Sequence, residues 1–218
     1  MEPDRIQVLL LGAGGHAAVA ADALIQAQAG SPGMELIGFL DDNPDLHGKF
    51  LFDREIMGPI KKLDQIHHDA VFIAVGDNQH RKTIFLEMKE RKERLINIIH
   101  PAAVVAPDVE LGEGVLICAG AVINPSVTVG NNVIINTSSS VDHHNQIADH
   151  VHIGPGVNLG GEVVIAEGAL LGIGAAVSPG RKIGSWSVVG AGACVIRDVS
   201  AGDIVAGVPA KSIQNQEK

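Results

Sequence analysis

The run VAPDVE-LGEGVL-ICAGAV-INPSVT-VGNNVI-INTSSS-VDHHNQ-IADHVH-IGPGVN-LGGEVV-IAEGAL-LGIGAA-VSPGRK-IGSWSV-VGAGAC-V, residues 105–195, opens every block of six with Val, Leu or Ile. From Val105 through Val141 to Val195 the pattern holds at sixteen positions without an insertion. A period of six fits neither a helix face nor a simple alternating strand. It is the repeat of a parallel β-helix, in which each block supplies one short strand and one corner. Three blocks then make one triangular coil, and each aliphatic side chain points inward onto its counterpart in the next coil at the strand spacing of roughly 4.8 Å. The run predicts about five coils around a continuous aliphatic core. Glycine follows many of the aliphatics, as in Leu111-Gly112, Val129-Gly130, Ile153-Gly154 and Leu171-Gly172. The expectation is that tight corners there need backbone angles that glycine reaches at low cost.

The chain has 218 residues, room for one large or two small domains, and a repeat that begins near residue 100 argues for two. The division expected is 1–99 and 100–218. An apolar fraction of 46% supplies a core, and 3% aromatics with no Tyr suit a narrow prism of Ile, Val, Leu and Ala. A formal charge of -9 and a pI near 5.5 argue against nucleic acid or an anionic membrane as the main partner. Cys118 and Cys194 show no metal-ligand spacing and read as small buried hydrophobes in a reducing cytosol. No apolar run approaches a membrane span, so the expectation is a soluble cytoplasmic protein.

Upstream of the repeat, Gln7 to Leu11 reads as a buried strand that runs into Gly12-Ala13-Gly14-Gly15-His16 and a helix over Ala17 to Gln28. Strand, glycine turn and helix open a mononucleotide-binding unit, with the helix N-terminus and bare glycine backbone facing a phosphate or ribose. A turn with no ligand is the plainer reading. After a loop over Gly30 to Gly33, a second strand, Glu35 to Leu40, ends in Asp41-Asp42-Asn43, whose carboxylates either accept from ribose or base or form a solvated turn. Leu46 to Pro59 reads as an irregular connection and Ile60 to Ile66 as a helical piece. A third strand, Ala70 to Val75, ends in Gly76-Asp77-Asn78 before an amphipathic helix through Arg91 that buries Ile84, Phe85 and Met88. Leu95 to Ile99 is the last strand expected. Three strand ends rich in Gly, Asp and Asn at one edge of a parallel sheet make a nucleotide crevice. A dehydrogenase is disfavoured, because Asp41 lies well past the roughly 20-residue spacing expected after the glycine turn.

Within the repeat, Val141-Asp142-His143-His144-Asn145 follows a polar stretch, Asn136 to Ser140, and His150 and His152 come soon after. Four histidines in ten residues with the Asp142 carboxylate beside the first point to chemistry, since a neutral imidazole oriented by an acid is a general base near pH 7, whereas any one of them alone reads as a solvated corner or a polar trimer contact. Zinc ligation by His143, His150 and His152 is the competing chemistry, although their spacing matches no compact zinc pattern. His150 reads as a surface corner. At the C-terminal end, Gly207-Val208-Pro209-Ala210-Lys211 stops the repeat, and Lys211 either meets a phosphate or faces water.

Taken together, Gly12-x-Gly14-Gly15-His16, Phe39-Leu40-Asp41-Asp42, Gly76-Asp77-Asn78 with Arg81, the unbroken hexads, Val141-Asp142-His143 and the terminal Gly-Val-Pro-Ala-Lys resemble the bacterial sugar O- and N-acyltransferases of the sialic-acid and bacillosamine type. The resemblance covers essentially the whole chain. It implies a Rossmann-like sugar-nucleotide domain followed by a left-handed parallel β-helix, acetyl-CoA as co-substrate without a metal, and a homotrimer with CoA between subunits. It implies His143 as catalytic base, with Asp142 and His144 beside it, and His152, Gly161 and Lys211 toward acetyl-CoA. Gly14, Gly15, His16, Asp41, Asp42, Gly76, Asn78 and Arg81 correspond to the sugar-nucleotide pocket. His144 stands where the family commonly has an acid, so Asp142, Asn136 or another group is left to orient the base. The expected reaction is N-acetylation of the 4-amino group of a nucleotide-linked 4-amino-4,6-dideoxy sugar, a UDP-bacillosamine precursor or GDP-perosamine. An O-acetyltransferase of the sialic-acid type and a non-catalytic trimeric nucleotide-binding scaffold are the alternatives.

Overall fold

The computed structural model describes residues 5–30 and 33–213, which form two compact units divided between Pro101 and Ala102. In the first unit β1 (Ile6–Leu11) lies between β2 (Met34–Leu40) and β5 (Ala70–Ile73), all parallel. Between β2 and β5 run two short strands, β3 (Phe50–Leu51) and β4 (Arg54–Glu55), which pair as a small hairpin. Val8 to Leu11 are fully buried because helices cover the central strand, as parallel sheets require. Helix α1 (Gly15–Gly30) buries Ala17, Ala20, Ala21 and Leu24, an i, i+3, i+4, i+7 stripe of mostly small side chains. Helix α2 (Asn78–Glu90) is N-capped by Asp77, which accepts from His80 N–H at 2.8 Å. It buries Ile84, Phe85 and Met88 as the spacing predicts, and Arg81 with them.

Three local expectations change. The connection predicted as irregular holds the β3–β4 hairpin, and Ile60–Gln65 is a 3-10 helix. The strand expected over Leu95 to Ile99 is divided into a bridge from Leu95 to Val71 and a strand at Ile98–Ile99. The loop expected over Gly30 to Gly33 falls partly outside the described residues; Gly30 itself ends α1.

The second unit is a left-handed parallel β-helix of two-residue strands. Strands pair 18 residues apart: Ser140–Val141 lies between Val122–Ile123 and Asn158–Leu159. The hexad run supplies six strands to one face and five to each of the others, and Ile204–Ala206 and Lys211–Ser212 extend one of these, so the stack is slightly taller than the run predicts. The predicted aliphatic file is buried, from Ile117 and Ile123 through Val141 to Val195. A second inward file runs four residues behind it: Val115, Ala121, Val127, Val133, Ser139, Asn145, Val151, Val157, Val163, Ala169 and Ala175. Its polar members bond to corner carbonyls three residues back, as Ser139 Oγ does to Asn136 O at 2.7 Å.

Glycine in the corners has a different cause from the one expected. The left-handed backbone falls at every sixth residue from Gly114 to Gly192, and it includes Ser126, Asn132, Ser138, His144, His150, Glu162 and Trp186. The glycines straight after the aliphatics are not in this set. They are small because coils approach there: a Cβ on Gly154 would lie 2.5 Å from Leu171 O, and one on Gly172 2.6 Å from Ala191 N.

The repeat also runs past Val195 in a shortened turn, since Ile183 bridges Val199 and Val189 pairs with Val205, both 16 residues on. The chain then folds back. Lys211–Ser212 pairs antiparallel with Ile204–Ala206, while Cys194 N–H donates to Gly207 O and Ala210 N–H to Cys194 O. Among the described residues no helix is long and apolar enough to cross a membrane.

Candidate active site

In the first unit, the carboxyl ends of β2, β1 and β5 bring the glycine turn, Asp41-Asp42 and Gly76-Asn78 to one edge, as predicted. Gly12, at φ +114°, is confined by Ala74, whose carbonyl would lie 2.8 Å from an added Cβ. Gly14 and Gly15 have nothing within 4 Å of an added Cβ, so their backbone opens outward at the start of α1. Both Asp41 oxygens take main-chain hydrogens: Oδ2 from Ala13 N–H at 2.7 Å and Oδ1 from Asn43 N–H at 2.8 Å. Asp42 Oδ1 takes Ile60 N–H at 2.9 Å. The two carboxylates thus shape the crevice walls, a role the sequence reading did not assign them.

Arg81 is 1% exposed, and its Nη1 donates to the carbonyls of Gly76 at 3.1 Å and Val75 at 3.3 Å. Burial pushes its pKa down to about 10 against the pull of Asp77, which leaves it cationic at neutral pH behind the end of β5. His16 packs against Gly76. Its burial first, and the Arg81 charge second, lower its pKa to about 4, so at pH 7 the crevice presents a neutral imidazole. An α-helix N-terminus, open glycines and a buried cation together favour an anion.

In the coil, Asp142, His143 and His144 form the corner after the strand Ser140–Val141. The exposed ring of His143 lies over Gly161, one coil on: an added Cβ there would sit 2.5 Å from Cε1, 2.7 Å from Nε2 and 3.0 Å from Nδ1. The Gly161 N–H donates to no described residue, whereas its carbonyl accepts from Gly180 N–H at 2.9 Å. His143 Nδ1 is 3.0 Å from His144 Nδ1, with the rings edge-on at 83°. No hydrogen bond joins the Asp142 carboxylate to the ring. Its Oδ1 accepts from Asn124 Nδ2 and from the His143 main-chain N–H, both at 2.8 Å. The Asn124 bond first, then the His143 N–H, hold its pKa below the usual carboxylate range.

Asn136 is likewise occupied elsewhere, with Nδ2 3.2 Å from His152 Nε2. His150 is not a surface corner: it is 4% exposed, with Nδ1 2.9 Å from Asn132 Nδ2. The zinc reading gains no support, because no group of three His, Cys, Asp or Glu among the described residues is placed to hold a metal. Cys118 is buried and its thiol pushed up to about 12, the inert hydrophobe expected.

Residues 7–88 match the model of the PglD N-terminal domain. A mutant of GDP-perosamine N-acetyl transferase from Caulobacter crescentus, solved with CoA and GDP-perosamine, is 35% identical, with TM-score 0.89 over 96% of this chain and 97% of that one. The chain belongs to the hexapeptide-repeat amino-sugar acetyltransferases. The acetyltransferase domain of PglB from Neisseria gonorrhoeae, solved with acetyl coenzyme A, is 29% identical, with TM-score 0.88 over 96% of this chain and all of that one. UDP-N-acetylbacillosamine N-acetyltransferase of Bacillus subtilis is 39% identical over 117 residues, 51% of either chain, so the match spans about half that curated relative.

Two groups of this acetyltransferase escaped the sequence reading. Asn145 is fully buried, and its Nδ2 donates to Asp142 O at 2.6 Å and to Gly160 O at 2.9 Å. It ties the His143 corner to the Gly161 corner in the coil above. The signal was present, because Asn145 is the one amide in the second inward file. Asn124, which holds Asp142, stands 18 residues before it, one coil back, so the hexad spacing was the signal that could have found it. Lys211 is exposed on the terminal strand, four strands along its face from His152, or about 19 Å at the strand spacing. The structure does not gather Lys211 with His143.

Proposed function

We propose that the protein transfers the acetyl group of acetyl-CoA to the 4-amino group of a nucleotide-linked 4-amino-4,6-dideoxy sugar. The observation that carries this is the His143 ring seated over Gly161, which brings a proton acceptor close to a main-chain N–H that donates to no described residue. The CoA and amino-sugar complexes of the relatives support the substrate class.

The sugar amine, unprotonated, attacks the thioester carbonyl while His143 Nε2 takes its proton. Negative charge grows on the carbonyl oxygen, and the Gly161 N–H is the preorganised donor for it. Collapse breaks the C–S bond, and the imidazolium returns the proton to the departing thiolate. The first unit contributes by holding the remote nucleotide at its open glycine turn, binding energy that orients the amine. A homotrimer is part of this reading, and light scattering at working concentration tests it.

The experiment is thiol release from acetyl-CoA against a panel of UDP-, GDP- and dTDP-linked amino sugars. Expected is release with one nucleotide series and a product resistant to hydroxylamine, as an amide is. A hydroxylamine-labile product would instead mean O-acetylation. No release with any sugar, alongside intact nucleotide binding, would leave the scaffold reading.

A further inference from the structure

Two imidazoles meeting at 3.0 Å through Nδ1 of each make a hydrogen bond only if one carries the hydrogen and the other a lone pair. The reading of His143 as base, on which this inference rests, fixes the direction. Its Nδ1 is engaged with His144, so Nε2 is the nitrogen left to hold the lone pair of the base; the neutral ring then carries hydrogen on Nδ1 and His144 must accept it. We propose that His144 is the positioning residue of the site: a neutral acceptor, in the place of an acid, that holds His143 in its Nδ1–H tautomer.

Elimination by contact supports the assignment. Asp142 Oδ1 is taken by Asn124 and by the main-chain N–H of His143, and Asn136 bonds His152. His144 also sits in the left-handed corner file at φ 59°, a conformation that histidine and asparagine visit more readily than most non-glycine residues. The corner therefore sets the direction of its ring, and the edge-on approach at 83° aims one Nδ1 at the other. The bond survives the chemistry. When Nε2 takes the amine proton, Nδ1–H still donates to His144. When Nε2 gives that proton to the CoA thiolate, the starting tautomer returns with no ring flip.

An acceptor series tests this on the full chain with acetyl-CoA and the best sugar of the panel. His144→Asn and His144→Glu each keep an oxygen acceptor, whereas His144→Ala has none. Expected is a kcat loss of about 10- to 10²-fold for His144→Ala with both KM values within about twofold, and recovery to within about fivefold for the two acceptor variants. Melting temperatures across the series report whether the corner folds. His144→Ala at wild-type turnover, or folded acceptor variants as slow as alanine, would overturn the assignment. His143→Ala, run beside them, separates the two ideas. If it retains turnover, the base reading itself fails; if it is inactive while the acceptors do not rescue, only the positioning role falls.

Discussion

Replacing Gly161 with alanine tests the site at its tightest point. The new Cβ would stand 2.5 Å from His143 Cε1 and 2.7 Å from Nε2, where carbon contacts settle at about 3.5–4.0 Å. The ring must retreat by about 1 Å, and since it is exposed it can do so without opening a hole in the core. Gly161 is not among the left-handed glycines, so alanine fits its backbone. Stability should change by no more than about 0.5 kcal/mol. Catalysis should suffer more, because a 1 Å displacement of a reacting group costs about 10²-fold, or about 2.7 kcal/mol of barrier, and the 3.0 Å contact with His144 stretches as well. The assay is steady-state thiol release at saturating substrates beside a thermal melt followed by circular dichroism. An unchanged melt with kcat down about 10²-fold is expected. Turnover within threefold of wild type would refute the claim that the ring's seat on Gly161 matters.

His143→Ala should lower kcat about 10²–10⁴-fold with little change in either KM, measured in the same assay. Asp41→Ala frees Ala13 N–H and loosens the glycine turn, so the sugar-nucleotide KM should rise while that for acetyl-CoA stays within about twofold. Gly168→Ala, at φ +69° and with a Cβ 2.5 Å from the Trp186 ring, should lower the melting temperature and shift the emission of the chain's only tryptophan, whereas Gly161→Ala should shift neither. His16, held at about 4 against 6.5 when unfolded, binds its proton only in the unfolded state between those values. Its contribution is complete above pH 6.5 and is lost as pH falls toward 4, by up to about 3 kcal/mol; denaturant midpoints of wild type and His16→Gln should converge over that window.

The hexads made the coil, its core and its pairing distance legible, because one side chain in six had to be aliphatic and nothing else in a chain gives that period. Glycine was read at the right places for the wrong reason, since adjacency to an aliphatic does not distinguish a strained backbone from a crowded one. The file starting at Gly114 did carry the missing signal: glycine, serine and asparagine recur there every sixth residue, interrupted by His144, His150, Glu162 and Trp186. In the first unit the strand ends were visible from Gly, Asp and Asn, yet whether a carboxylate faces a ligand or a main-chain N–H depends on loop closure across 28 residues, as for Asp41 and Ala13. The same holds for Asp142, which looked like the partner of the ring and is the partner of the main chain. Sequence adjacency put it beside His143, but its Oδ1 bonds Asn124 Nδ2 and the His143 main-chain N–H.

The folded-back terminus has a consequence for the colloidal life of the protein. A stack of parallel coils ends in exposed strand edges that could template another molecule, and long fibres are the natural outcome of such ends. Here Gly207 and Ala210 take the main-chain groups of Cys194, and Lys211–Ser212 runs opposite to every strand beneath it. An incoming parallel coil finds those groups spent and the direction reversed, so growth by end-on addition stops at this short segment.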